Sequence, residues 1–413
     1  MNTILTKYIS KYRVSRQLIE QTPSHNLNMV VIIPAYNEPD IFDTLNSLKK
    51  CKVPCSDVEV IILINHTQST PLHIKQQNKN THERIVTEYV KSNTDKLQFY
   101  CVLIENMPQK HAGAGLARKI AMDEAIRRFI VAGKSDGVIV SLDADTLVPQ
   151  NYFIDIEKAF DKNKKLNCTI LNFKHSIPYA SSKELEAAIT LYELYLHYFK
   201  QALKYTGFPY AYHTIGSCFA VKASVYVKQG GMNRRQGGED FYFLHKVFPL
   251  GNTIELNSVT VYPSARVSDR VPFGTGPAVK EIMEQDNYFT YRFEYFTYLK
   301  YFFSNINYLY KAGSKDIIVF YENLDLSLKE FIPVDTFISK ISEINANSAS
   351  VEKFKQRFFY WFDAFKVIKY LNFVHKKVSK ITVISTVNKY IIATGVDKQT
   401  EKPEELLAIL RNL

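Results

Sequence analysis

Hydrophobic positions in the first third of the chain come in unbroken runs rather than in alternation. MVVIIP at 29 to 34, VEVIILIN at 58 to 65, LQFYCVLI at 97 to 104 and GVIVSLD at 137 to 143 are each long enough for a strand and too short for a helix. Between them, apolar and polar residues mix at helical spacing, from Asp40 to Lys50, in THERIVTEYVKS at 81 to 92, and in GLARKIAMDEAIRRFIVA at 115 to 132. A strand that is apolar on both faces needs cover on both faces. The alternation therefore predicts a mostly parallel, doubly wound α/β sheet flanked by helices. In such sheets ligands sit beyond the carboxyl ends of the strands, in the crevice where the strand order reverses.

Further along, KELEAAITLYELYLHYFKQALKY at 183 to 205 has the stripe of an amphipathic helix lining a core. From about Pro277 the chain becomes rich in aromatics and lysine, with helical character and few glycines. A length of 413 residues suits one large domain with an appendage. The expected division is an N-terminal segment at 1–27, an α/β domain at 28–276 and a helical, basic C-terminal region at 277–413.

Composition narrows the class. A chain with 46% hydrophobic and 23% charged residues is an ordinary globular protein, not a disordered one. The opening MNTILTKYISKYRVSRQL holds no seven-residue apolar run and does not read as a secretory signal, and no apolar run approaches a membrane span. Five cysteines, an odd number, point to free thiols and a reducing, cytoplasmic setting. Cys51 and Cys55 lack a second pair and read as half-buried thiols rather than a zinc site. The net charge of +11 is concentrated late, since Val351 to Tyr390 holds nine Lys or Arg against two acids. FKQRFFYWFDAFKVIKYLNFVHKKVSK is too charged to cross a bilayer. The preferred reading is a helical subdomain that packs its aromatic face on the catalytic domain and leaves the lysines in water. Peripheral contact with an anionic membrane surface is the alternative, and would suit a lipid-linked acceptor. No nucleic-acid motif accompanies the charge, so nucleic acid is not an expected partner.

Candidate chemistry begins with LDAD, which sets Asp143 and Asp145 where the fourth strand should end. A turn after Leu142 would let the two carboxylates address different parts of one ligand. By itself the triplet is a solvated turn, and its company gives it meaning. VVIIPAYNE at 30 to 38 places Pro34, Tyr36, Asn37 and Glu38 after the first strand, facing the crevice. HAGAGLAR at 111 to 118 puts Gly113, Gly115 and Arg118 at a helix start, where backbone can approach a bound group closely and the helix attracts anions. GSCFAVKASVYVKQGG at 216 to 231 then leads to GGEDFYFLHKV at 237 to 247.

In this order the motifs resemble those of the inverting family 2 glycosyltransferases of the GT-A fold, over roughly residues 28 to 270. The resemblance implies transfer of a sugar from a nucleotide-sugar donor to an acceptor hydroxyl of a carbohydrate or lipid-linked molecule. It makes Asp145 the ligand of a Mg²⁺ or Mn²⁺ ion that neutralises the leaving diphosphate, and brings Asp143 to the ribose, the donor sugar or the metal. It makes Asp240 the general base, with Glu239 orienting it or touching a substrate. The plainer alternative is that these two acids merely favour a helix start. Where many relatives end the second strand in a carboxylate turn, this chain has Asn65, His66 and Thr67, so Asn65 is the candidate for the nucleobase and His66 is read as a surface loop residue. SARVSDRVPFGTGPA at 264 to 278 carries Arg266 and Arg270, expected to close over the diphosphate. A surface turn with an Arg266 to Asp269 contact is the competing reading. His213 and His245 read as packed or solvated. The rivals are a nucleotidyltransferase, which would show a glycine- and basic-rich signature after the first strand, and a binding protein that uses the basic C-terminal region.

Overall fold

A computed structural model describes every residue except 1, 2, 13, 14, 178–180, 268–273, 286 and 397. The chain forms two units. The first joins Met1–Ser181 to His213–Pro277, and the second joins Ser182–Tyr212 to Ala278–Leu413.

In the first unit the apolar runs become strands. These are β1 (Leu27–Ala35), β2 (Asp57–Asn65), β3 (Leu97–Ile104) and β4 (Val138–Ser141), followed by β5 (Thr146–Leu147), β6 (Cys168–Phe173), β7 (Phe219–Lys222) and β8 (Thr253–Pro263). They make one sheet in the order β3-β2-β1-β4-β7-β6-β8-β5. β1 to β4 are mutually parallel, β7 runs against both β4 and β6, β8 is parallel to β6, and β5 pairs antiparallel with β8. The sheet is thus mostly parallel, and with its flanking helices it has the α/β architecture expected. Residues Val30 to Ile33 are fully buried, which is why the run is continuous. Each such side chain contributes roughly 1.5–3 kcal/mol.

The strand order reverses at the β1/β4 boundary, with β2 and β3 laid to one side of β1 and β4 to the other. β1 continues through Pro34 to Ala35, so the proline does not end it. Pro34 and Ile32 present their backbone groups to the same side, and Ile32 is the last residue of β1 paired to β4. The missing N–H of Pro34 therefore removes no ladder bond.

The helices before the second unit's main body are α1 (Ile4–Tyr12), α2 (Ile41–Lys49), α3 (Leu72–Glu88), α4 (Ala114–Ala132), α5 (Tyr152–Lys162), α6 (Lys183–Tyr205), α7 (Ala223–Lys228), α8 (Glu239–Val247) and α9 (Thr275–Gln285). α4 is buried on nearly every side and ends at Gly133, whose φ of 72° suits glycine. Its polar residues tie down the N-terminal segment. The Tyr8 hydroxyl donates to Asp123 at 2.8 Å and accepts from Lys119 at 2.6 Å, while the Tyr226 hydroxyl donates to Asp123 at 2.8 Å. The amides of Leu18 and Ile19 donate to Glu124, and Arg128 makes a two-pronged pair with Glu59. Leu5, Tyr8 and Ile19 are thereby buried in the first unit's core.

The second unit comprises α6 and the helices α10 (Phe293–Asn305), α11 (Ser314–Glu322), α12 (Leu326–Phe331), α13 (Val334–Ala346), α14 (Val351–Trp361), α15 (Ala364–His375), α16 (Val383–Ala393) and α17 (Pro403–Arg411). A short ribbon pairs β9 (Phe289–Thr290) with β10 (Ile381–Thr382). α6 lies inside the span 28–276 expected for the α/β domain, yet it packs on α10, α16 and α17. Gln201 donates to the Leu410 carbonyl at 3.1 Å, and the Tyr198 and Thr386 hydroxyls are 3.1 Å apart. The stripe of α6 is a core-lining face, in the helical unit. The aromatics of 354 to 362 serve the same unit: the Phe302 ring lies 5.4 Å from both Phe358 and Phe362 and 6.0 Å from Phe337. Lys353, Lys355 and Arg357 of α14 face water. Among the described residues no helix is long and apolar enough to cross a membrane.

Candidate functional site

The candidate site residues gather where the topology puts a ligand, at the carboxyl ends of β1 and β4. After β1 the chain turns sharply at Asn37, which takes a left-handed φ of 48° that asparagine tolerates, and its amide donates to Asn78 Oδ1 at 2.9 Å. Glu38 follows, buried. After β4 the chain turns again, with the Thr146 amide on the Asp143 carbonyl and the Thr44 hydroxyl of α2 on the Ala144 carbonyl. This turn sends the two aspartates to different partners. Asp143 receives Arg118 Nη2 at 2.8 Å on one oxygen and the Ser217 hydroxyl at 2.5 Å on the other. Asp145 receives Arg266 Nη2 at 3.0 Å.

Arg118, in the first turns of α4, is the hub. Its guanidinium donates to Glu239 at 3.1 Å, to the Ser141 hydroxyl at 2.7 Å, to the Gly216 carbonyl at 3.2 Å and to Asp143. Four separate segments are joined by one buried cation. Burial works against its charge, and Asp143, Glu239 and Asp240 outweigh burial, so its pKa lies above the usual arginine value. Arg118, expected at the donor, is held by the chain's own acceptors. Gly216 is glycine because a Cβ there would stand 2.5 Å from Nη2.

The glycines of HAGAGLAR also serve the chain itself. A Cβ on Gly113 would lie 2.8 Å from the Gln236 Cα, and one on Gly115 would lie 2.3 Å from the Arg235 carbonyl oxygen. The close approach expected for a bound group is made by the 235–236 backbone, which leads into the carboxylates of α8. Gly115→Ala is therefore expected to push that backbone away, costing roughly 1–3 kcal/mol as overpacking does. Urea denaturation checks the loss, and an unchanged midpoint would overturn it.

α8 starts from Gly238, whose φ of 67° is left-handed. Glu239 is buried on Arg118, and its carbonyl accepts from Asn233 at 2.8 Å. Asp240 is half-buried and accepts from the Phe241 amide at 2.7 Å. Its pKa is pushed up to about 7, first by burial and then by the neighbouring Glu239, with Arg118 pulling the other way. A carboxyl that titrates near neutrality can take a proton and give it up.

Opposite lies an acidic cluster around Arg266. Its guanidinium donates to Asp40 at 2.7 Å, to Asp145 and to Glu38. Arg270 and Asp269 lie outside the described residues. Asp40, Ser141 and Ser217 complete these contacts and were not singled out from the sequence. Ser217 lies in the quoted GS segment, and Asp40 two residues past Glu38.

Two expected positions differ. Asn65 turns inward, its amide nitrogen donating to the Ala35 carbonyl at 3.2 Å, so it ties β2 to β1. His66 is buried at 3% exposure rather than on a surface loop, with Nδ1 3.3 Å from Asn78 Nδ2, and burial lowers its pKa. His245 packs between Phe241 and Phe248, at 4.5 and 5.4 Å, and burial drops its pKa to about 3, which keeps it neutral. His213 packs edge-on to Phe173 at 5.0 Å. Cys51 is buried and Cys55 exposed, both as free thiols. Among the described residues no three metal-ligating side chains converge.

No known protein family matches the sequence, and no curated protein matches it. Among solved structures, that of S. aureus TarS residues 1–349 is similar at 14% identity, covering 81% of this chain and 91% of that one, with a TM-score of 0.37. The same fragment in complex with UDP-GlcNAc aligns at 14% identity over the same shares with a TM-score of 0.38, and S. aureus TarS aligns at 13% identity over 80% of this chain and 54% of that one, with a TM-score of 0.36.

Proposed function

We propose that this protein is a glycosyltransferase that moves a sugar from a nucleoside-diphosphate-sugar to an acceptor hydroxyl, with inversion at the anomeric carbon. The observation that carries the reading is the convergence of four distant motifs at the β1/β4 reversal. Glu38, Arg118, the Asp143–Asp145 turn and the Glu239–Asp240 helix start meet there, and Asp240 is tuned to about 7. In the reaction, Asp240 accepts the proton of the acceptor hydroxyl as its oxygen attacks the anomeric carbon. The bond from that carbon to the diphosphate oxygen breaks, and the electron pair leaves with the diphosphate. Glu239, fixed by Arg118, holds the start of α8 and so aims the base. Asp143, held by Arg118 and Ser217, shapes the donor side of the crevice and, beside Asp145, is the second carboxylate that would ligate a divalent cation. Tyr36, directly after β1, is the remaining candidate for the nucleotide end.

Mg²⁺ commonly takes one or two carboxylates and completes its shell from phosphate and water, so a donor set centred on Asp145 fits it. A divalent cation there would neutralise charge on the departing diphosphate. Arg266, now held by Glu38, Asp40 and Asp145, is the residue placed to pair with the diphosphate. The acceptor is a carbohydrate or lipid-linked hydroxyl met in the cytoplasm.

The test is thermal unfolding of the wild type and Asp145→Ala with UDP, GDP, CMP and dTDP, each with and without Mn²⁺. One nucleotide should stabilise the wild type in the presence of metal, by about 2.7 kcal/mol at a hundred times its Kd, and the variant should lose that gain. Silence from every nucleotide, or an equal gain in Asp145→Ala, would overturn the reading.

A further inference from the structure

The helical unit contains an open cavity of about 440 Å³, within the range of small-molecule sites. Its floor is apolar and rigid, made by the buried Phe303, Ile306 and Phe359, with Tyr210 at the side. The Phe303 and Phe359 rings lie 5.3 Å apart at an angle of 74°. Ser304, Asn307 and Lys355 stand at the rim, exposed, and none of their side chains hydrogen-bonds to a described residue. Gln356, also in the lining, is steadied by Lys353 at 3.2 Å. Nearby Tyr360 is 52% exposed.

We propose that this cavity binds a saccharide that carries an acid group. An aromatic floor accepts the apolar C–H face of a pyranose ring, while hydroxyl and amide groups at the rim exchange hydrogen bonds with its equatorial hydroxyls. Lys355 supplies the charge that selects a carboxylate or phosphate substituent. These rim groups are exposed and within reach of a polar ligand in the cavity. The site stands apart from the Asp240 crevice in sequence and chemistry, and its existence does not depend on the transferase reading. If that reading holds, the cavity retains an acidic acceptor glycan.

The experiment is isothermal titration of the full chain with a hyaluronan tetrasaccharide, neutral chitotetraose, glucose 6-phosphate and inorganic phosphate, followed by competition with phosphatidylglycerol vesicles. An acidic sugar should bind at least tenfold more tightly than chitotetraose and than phosphate. Which of the two acidic sugars binds distinguishes carboxylate from phosphate. Asn307→Ala and Lys355→Gln, both surface changes, should each weaken that binding at least tenfold and leave nucleotide-dependent stabilisation unchanged. Binding that survives both substitutions, equal binding of phosphate, displacement by the vesicles, or no saccharide binding would each overturn the proposal. Nucleotide stabilisation in the same samples reports separately on the crevice.

Discussion

Asp240→Asn should lower turnover by about 10² to 10⁴, the range that a positioned general base supplies, while nucleotide binding persists. Release of nucleoside diphosphate from the accepted donor measures it, and wild-type turnover in the variant would end the base assignment. The wild type should gain activity with rising pH, with a midpoint near 7, because only the ionised carboxylate takes the proton. The same titration fixes the sign of a stability effect. The folded-state pKa is raised from 3.8, so the folded protein holds a proton that the unfolded chain has released between about pH 4 and 7. The contribution of this group to stability is therefore complete below pH 4 and lost as pH rises through 7. For a sealed site the shift would correspond to about 4 kcal/mol, and for a half-buried group screened by solvent about 1–2 kcal/mol. Asp240→Asn should thus be more stable than the wild type at pH 8 and equal to it at pH 4. The catalytic tuning costs stability at working pH, and the variant that cannot react should melt later.

Arg118→Met should have the opposite character. The substitution keeps most of the volume but strands Asp143 and Glu239, each of which faces this cation at 2.8 and 3.1 Å respectively. Removing one partner of a buried pair typically costs about 3–5 kcal/mol. Denaturant unfolding should show a loss of that size, and nucleotide-dependent stabilisation should vanish with it. Adding Glu239→Gln should restore part of the stability, since one stranded charge is neutralised and the two positions are coupled. A fully stable Arg118→Met, or strictly additive losses, would show that the hub is not what joins the segments.

Reading the chain alone recovers the parts of this arrangement that depend on local pattern. β1 to β3 are apolar on both faces because helices cover both, and that leaves an unbroken run in the sequence. LDAD and GGED stand out only in company, because each alone has a plain structural reason, a solvated turn or a helix start, and their order along the chain does not. The start of α3 is hidden because residues 72 to 80, LHIKQQNKN, present almost no apolar face, and the helix buries Asn78, Thr81 and Ile85 instead. β6 and β7 are short, and β8 is polar over much of its length, so no run announces them. The helix α6 reads correctly as amphipathic, but a stripe does not say which core it faces, and its partners lie far along the chain. Arg118 and the two HAGAGLAR glycines look like ligand contacts from composition. Only the fold reveals that residues 216 and 235–236 come back to occupy them, because pairings between distant segments have no local signature. His66 misleads for the same reason: it follows a strand, but Asn78 and the end of β3 close over it.

The placement of α6 also bears on how the chain is made. It leaves the ribosome while the first unit is still missing α7, α8 and β8, and its own partners follow much later, α17 ending about two hundred residues behind it. At synthesis rates of about 5–20 residues per second, that is a delay on the order of 10–40 seconds. Until α10 emerges, about ninety residues later, this 23-residue helix presents its apolar stripe without any of the helices it packs on, and its cover is complete only with α17. The nascent chain is thus a natural client for a holding chaperone until the helical unit is complete.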